Sequence, residues 1–316
     1  MSAPRPEPAT AIVYALTSHG CDIYSEQTFV SASLLRRLYP AATILLLVDE
    51  QTGPALRGVH DPVVDLANDV VVVKTGLTKP VERNRWLKTT MRQHLTGPFV
   101  YLDADVLAIR PFDEVFGHDD DVAGVNDYTE GLWGLRRPRW VRSLYRTFEW
   151  AYPPRQYLNG GVLYMADRPT VHEFARHWHE GWRQCVDRAN LSLDQPSLNR
   201  ALDTSGVRVR VLSERFNCPV NSAIWPVRRS RIFHYFSSQV SDTAYTLLDH
   251  LLRHLQHTGE IDWPAVERAA TTGDPYVAPP PLIKHNVASG RYARAASLAA
   301  RRIVDRGRPN APEVSP

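Results

Sequence analysis

Short apolar runs alternate along this chain with segments whose apolar residues recur at helical spacing. Ala11–Leu16 reads as a buried strand, and Tyr24–Leu38 as a helix carrying Phe29, Val30, Leu34 and Leu38, with Pro40 just past its end. Thr43–Val48 and Val70–Val73 predict two more strands, Glu82–Leu95 a helix, and Phe99–Leu102 a strand that runs into Asp103-Ala104-Asp105. Asp121–Val125, Gly161–Met165, Val207–Leu212 and Ile232–Phe236 predict the later strands. Between and after them lie an aromatic-rich helix, Trp140–Trp150, and helices at Val171–Val186, Gln195–Leu202 and Asp242–His257. Strands that are apolar throughout and alternate with helices predict an α/β fold: one mostly parallel central sheet flanked by helices. Ligands of such sheets sit at the carboxyl ends of the strands, which is where Asp103 and Asp105 are expected.

Composition narrows the picture. The 316 residues are 43% hydrophobic and 22% charged, which excludes a disordered chain, a collagen-like fibre and a disulfide-stapled miniprotein. Lys and Arg number 37 against 34 Asp and Glu, so the net charge of +3 is too small for a nucleic-acid binder. Cys21, Cys185 and Cys218 are too scattered for a zinc site and read as reduced thiols. The N-terminus carries prolines in place of a signal-peptide core, and runs such as Ile44–Val48 are too short to span a bilayer, so a cytoplasmic location is expected. The predicted organisation is a flexible tail (1–10), one globular domain (11–274) and a Pro-rich, basic C-terminal helical appendage (275–316). In that appendage, Lys284–Arg308 holds six arginines and a single acid, Asp305. Val287, Leu298, Ile303 and Val304 could line one face of a basic amphipathic helix that meets a membrane surface or partner; a helix docked on the domain is the competing reading.

The candidate chemistry centres on Asp103 and Asp105. Two apart on a strand, their carboxylates would face one point and suit a hard cation such as Mn²⁺ or Mg²⁺ beside the phosphate oxygens of a ligand. The triplet Asp119-Asp120-Asp121 has the same spacing, but its polar surroundings predict a solvated loop. In Asn159-Gly160-Gly161 the glycines allow either a turn or a close approach to ligand. Asp194-Gln195 opens a helix, where Asp194 is a ready N-cap. His234 sits in an apolar strand, either as a packed core histidine or as a third metal ligand. Trp178 and Trp182, four apart on a predicted helix, read as core.

The order of these pieces resembles the family 8 glycosyltransferases, the group that contains glycogenin and the bacterial lipopolysaccharide galactosyl- and glucosyltransferases. The likeness covers about residues 11–236 and is carried by Phe99–Arg110, Leu158–Met165 and Leu193–Leu202. The resemblance implies the GT-A fold, a nucleotide-diphosphate sugar as donor (usually a UDP-sugar), Mn²⁺ and retention of anomeric configuration. It implies Asp103, Asp105 and His234 as metal ligands and Lys88 beside the donor diphosphate. Thr17 and Tyr24 would hold the uracil and ribose, and Asp127 and Asn159, with Gly160 and Gly161, the transferred sugar. Asp194 and Gln195 would lie beneath the anomeric carbon, as candidate catalytic residues together with Asp127. The chain departs from the family after His234, reading Tyr235-Phe236-Ser237-Ser238-Gln239 where a Gly and a Lys-Pro-Trp run are usual. Arg228, Arg229, Arg231, Arg83 and Arg85 are candidates for the missing positive charge. Residues 131–137 and the aromatics of Trp140–Tyr157 are candidates for recognising a glycan, lipid-linked or protein acceptor, or else for packing a lid. A non-catalytic sugar-nucleotide or glycan binder is the alternative. A sugar-phosphate nucleotidyltransferase fits less well, because Leu16–Gly20 offers one glycine where a phosphate loop needs several, and a two-metal phosphohydrolase lacks its extra His/Asp cluster.

Overall fold

The computed structural model describes residues 10–117, 119–127, 139–222, 227–236 and 245–307. The early strands are β1 (Ala11–Leu16), β2 (Ile44–Asp49), β3 (Asp69–Val73), β4 (Phe99–Leu102) and β5 (Val106–Ala108). They are followed by β6 (Val122–Asn126), β7 (Leu158–Met165), β8 (Val209–Leu212), β9 (Cys218–Pro219) and β10 (Ile232–His234). The helices are α1 (Ile23–Leu38), α2 (Thr52–Gly58), α3 (Val63–Leu66), α4 (Pro80–His94), α5 (Arg139–Thr147) and α6 (Pro169–Ala189). After these come α7 (Gln195–Thr204), α8 (Leu247–Thr258), α9 (Trp263–Thr272), α10 (Ile283–Ala288) and α11 (Tyr292–Gly307).

Seven strands form one sheet in the order β3-β2-β1-β4-β7-β6-β8. Six run in one direction, and β7 alone is antiparallel to its neighbours β4 and β6. The expected mostly parallel sheet is therefore present. All eight residues of β7 are buried, as befits a strand inserted at the middle of the sheet. Asp22 starts α1 by accepting bonds from the backbone of Tyr24 and Ser25, while the Ser25 hydroxyl returns a bond to the Asp22 backbone. α4 lies against β1 and β2 and is backed by α6, which in turn carries α7.

A second sheet, β5-β10-β9, follows from the first without a loop: β4 ends at Leu102, Asp103–Asp105 turns the chain, and β5 begins at Val106. Leu107 and Phe233 of this sheet join Val30 and Leu34 of α1 and Leu248, Leu251 and Leu252 of α8 in a core of their own. A third cluster gathers Leu144, Tyr145, Phe148, Trp150 and Tyr157, so most aromatics of 140–157 pack on one another.

The structure departs from the sequence reading in several places. α2, α3, β5, β9 and α9 were not expected: all are short except α9, whose run of small residues carries little apolar signal. Asp121 of the triplet is buried and bound by Arg168 and the Arg208 backbone, so it anchors the start of β8, while Asp119 is exposed as the solvated-loop reading expects. The expected C-terminal helix is two helices, broken at Ser289–Arg291 where Gly290 adopts φ of 72°. Arg291 reaches back to Asp274 at 2.7 Å and docks this break on the domain, while Ile303 further along is 73% exposed. Val287 and Ile303 thus sit on separate helices and share no single face. Among the described residues no helix is long and apolar enough to cross a membrane. The tail 1–9, segments 131–137 and 237–239, the start of the predicted helix at 242–244 and Arg308 lie outside the described residues.

α4 and α6 meet at His179, whose ring packs edge-on against Trp86 and lies 2.8 Å from the Thr89 hydroxyl. Burial, and then the charge of Arg183, lower its pKa to about 4. The unfolded chain takes this proton near pH 6.5 and the folded chain does not, so the stabilisation is full above pH 6.5 and is lost as pH falls towards 4. The thermal midpoint of the wild type is expected to drop across that window, His179 contributing at most about 3 kcal/mol of the lost stability. In His179→Gln, differential scanning calorimetry from pH 7 to 4 should show a flatter slope.

Candidate active site

The turn between the two sheets is pinned from both sides. The Asp103 N–H donates to the Gly161 carbonyl of β7 at 2.9 Å, and the Asp105 carbonyl accepts from the Tyr235 N–H just beyond β10 at 3.2 Å. Both carboxylates therefore point to one place because a turn is clamped between β7 and β10. The strand alternation expected from the sequence is not the cause, since β4 has already ended. His234, the last residue of β10, brings its Nε2 to 3.4 Å from Asp105 Oδ1 and 3.8 Å from Asp103 Oδ2. One ligand atom from each of the three lies within 4.8 Å of the others.

Asn159, Gly160 and Gly161 lie inside β7, which overturns the simple-turn reading. A Cβ on Gly161 would stand 2.3 Å from His234 Cε1 and 3.0 Å from Asp103 Oδ2. One on Gly160 would stand 3.3 Å from Lys88 Nζ. The bare backbone of β7 is thus the wall against which the charged cluster packs.

Lys88 Nζ is buried between Asp103 Oδ1 at 2.9 Å and Asp194 Oδ2 at 3.3 Å. Arg85, one turn earlier on α4, binds the other oxygen of Asp194 at 3.1 Å. Asp194 precedes α7 but makes no side-chain cap; two cations hold its carboxylate instead. Burial works against the charge of Arg85, yet the carboxylates of Asp194, Asp103 and Asp105 outweigh it and keep its pKa above the ordinary value. The Tyr101 hydroxyl donates to Asp103 Oδ1, and burial followed by the nearby Asp103 charge holds it protonated, well above its ordinary pKa.

These groups form the floor of a cavity of about 480 Å³. Thr17 and Tyr24 line it, the Thr17 hydroxyl bonded to Asp49 at 2.9 Å and Tyr24 half exposed. Gln195 also lines it and donates to Asp127 Oδ2 at 2.8 Å, so Asp127 joins the site through Gln195. Trp140 is 46% exposed and faces the cavity, unlike the packed aromatics that follow it. Of the candidate extra cations, Arg85 is in the wall. Arg83 is buried against Asp49 and the Thr78 carbonyl; Arg228 and Arg229 are exposed elsewhere; Arg231 binds Glu114 and the Pro111 carbonyl. None of these four lines the cavity. Trp178 and Trp182 are core, as expected, and their indole N–H groups also hold the carbonyls of Asp194 and Ser192. Sequence reasoning missed Phe236, which stacks on the His234 ring at 3.8 Å with φ of 51°, and Asn217, whose Oδ1 lies 2.9 Å from His234 Nδ1. Nothing in the spacing of either residue marks it in the sequence.

Two carboxylates and an imidazole converging on one point could hold a divalent cation. No protein-family model and no curated protein matches the sequence. In fold the chain is similar to the crystal structure of the glycosyltransferase GlyE of Streptococcus pneumoniae, with a TM-score of 0.51 at 15% identity. That match covers 85% of this chain and 66% of the GlyE chain, so the chain spans a little under two thirds of that structure's length. The fold is GT-A-like: mixed α/β with a seven-stranded, mostly parallel sheet flanked by helices.

Gly161→Ala puts a methyl into the His234 ring and is expected to abolish Mn²⁺ binding measured by calorimetry. Its stability should fall by about 1–3 kcal/mol. Gly160→Ala meets Lys88 Nζ at 3.3 Å and Asp194 Oδ2 at 3.6 Å, a much smaller intrusion, and should retain Mn²⁺ binding.

Proposed function

We propose that this chain is a metal-dependent glycosyltransferase of the family 8 type. It moves a hexose from a nucleotide-diphosphate sugar, a UDP-sugar by the resemblance at Thr17 and Tyr24, to an acceptor hydroxyl with retention. The observation that carries the reading is the convergence of Asp103, Asp105 and His234 at the ligand edge of a GT-A-like sheet. Charge supports it as well. Among the described cavity residues, Asp103, Asp105 and Asp194 face only Arg85 and Lys88, and both cations are already paired with those carboxylates. A diphosphate entering without a further cation would meet a net negative floor.

When bound, the divalent ion would neutralise charge on the departing diphosphate. Asp103, Asp105 and His234 Nε2 would hold it. Lys88 keeps a positive charge at the floor and links Asp103 to Asp194. Gln195, oriented by Asp127 and reached by the Gly160 N–H at 3.4 Å, would position the sugar. Two cations draw on the Asp194 carboxylate and blunt it as a nucleophile, which favours a front-face route over a covalent intermediate. In that route the bond from the anomeric carbon to the diphosphate oxygen breaks, the bond to the acceptor oxygen forms on the same face, and the acceptor proton passes to the leaving diphosphate. Trp140 offers a stacking face for the glycan, lipid-linked or protein acceptor.

A thermal-shift panel of nucleotide sugars with and without Mn²⁺ tests the donor: one UDP-sugar should raise the midpoint only when Mn²⁺ is present. Asp105→Ala should lower donor turnover in Mn²⁺ by at least about 100-fold. Wild-type turnover in that variant would overturn the metal assignment. Metal-dependent donor binding without hydrolysis or transfer would favour a non-catalytic binder, a reading supported by the lack of an unpaired cation among the described floor residues.

A further inference from the structure

His234 can offer Nε2 to a cation only if its ring proton sits on Nδ1, and the structure contains a chain of bonds that dictates this. It starts at a group whose polarity is beyond doubt. The backbone N–H of Gly161 is a donor, and it lies 2.9 Å from Asn159 Oδ1, which fixes that atom as the carboxamide oxygen. The same oxygen lies 2.9 Å from the Asn217 side chain, so Asn217 must present its NH₂ there; turned over, it would set oxygen against oxygen. Asn217 Oδ1 is then committed to the opposite side, 2.9 Å from His234 Nδ1. An amide oxygen only accepts, so Nδ1 carries the hydrogen. In the neutral ring Nε2 is left with a lone pair aimed at the carboxylates of Asp103 and Asp105. Asn159, Asn217 and His234 are all buried, so water does not compete for these bonds.

We propose that Asn217 is a positioning residue which, read through Asn159 from the backbone of β7, holds His234 in the Nδ1–H tautomer and so readies Nε2 as a metal ligand. Three acceptor atoms facing one another across a few ångströms repel unless a cation lies among them. A ring free to move its proton would relieve that repulsion by donating from Nε2 to Asp105 and would close the site. Asn217 denies the ring that escape. The inference rests on the metal reading above, but the tautomer itself is a property of the metal-free protein.

The test begins with ¹⁵N-imidazole-labelled, metal-free wild type, in which long-range ¹H–¹⁵N correlation spectra identify the tautomer of His234, assigned by loss of its signals in His234→Gln. The Nδ1–H form is expected; an Nε2–H or doubly protonated ring at pH 8 would overturn the proposal whether or not Mn²⁺ binds. Asn217→Leu, similar in size, removes the acceptor and should move the proton to Nε2. Its Mn²⁺ affinity, read from the electron paramagnetic resonance of free Mn²⁺, should fall about 10–100-fold. Asn217→Asp sets its second oxygen against Asn159 Oδ1 but keeps an acceptor for Nδ1–H, so its ring should still carry hydrogen on Nδ1 even where Asn217→Leu folds poorly. Wild-type affinity in Asn217→Leu, or an Nε2–H ring in Asn217→Asp, would refute the role. Absence of Mn²⁺ binding in the wild type would instead remove the metal reading, while the tautomer spectra still decide what Asn217 does.

Discussion

The imidazole of His234 occupies the space a side chain on Gly161 would need, and the site is built around that intrusion. With the ring seated against bare backbone, the small sheet β5-β10-β9 can close on the large one. The turn at Asp103–Asp105 is then gripped by hydrogen bonds from both sheets. A β-carbon at position 161 would stand 2.3 Å from the His234 ring and 3.0 Å from Asp103 Oδ2, so the ring would have to shift and the cluster would lose its common focus. The glycine is therefore a steric requirement of the Asp103/Asp105/His234 cluster and not a device for turning the chain.

A second constraint is electrostatic. Lys88 is almost wholly buried, which would be costly for a lone ammonium, and its position is sustained by carboxylates on both sides and by the Tyr101 ring 5.0 Å away. Because Asp103 and Asp194 share this one cation, the end of the cavity that holds Asp103, Asp105 and His234 and the end near Gln195 are not independent. A change in charge at one alters the pairing available at the other. Arg85 completes the arrangement by holding the far oxygen of Asp194.

Much of this was legible in the sequence. Apolar runs such as Ile12–Leu16 and Ile44–Val48 announce the parallel strands at the centre of the sheet, because a strand covered on both faces has no polar alternation to disguise it. The Asp103/Asp105/His234 grouping was also within reach, although pleat alternation was the wrong reason for it. Three things lay outside local pattern. The reversal of β7 depends on which neighbours a strand finds, and Gly161 reads equally well as a turn until His234 is seen to need its space. Asn217 has no periodicity or motif at all, since its role arises from a contact made across 58 residues to Asn159. Arg83 and Arg85 show the same limit: two positions apart on α4 they face different directions, and only the packing decides which of them reaches the cavity.

The excursion between β6 and β7 leaves and rejoins the sheet across one backbone bond, from the Asp127 N–H to the Tyr157 carbonyl at 2.7 Å. Among its described residues, Tyr145, Phe148, Trp150 and Tyr157 pack together, with Cys185 of α6 and Leu191 as neighbours from outside. A segment whose two feet stand side by side is attached to the sheet as a cassette, although Tyr145 also bonds the Pro196 carbonyl and Trp150 packs under Arg200. Evolution could exchange it for another of different length without disturbing the carboxylates a few ångströms away. The fold thereby separates the sheet-borne part of the cavity from a part free to vary in length while the sheet stays as it is.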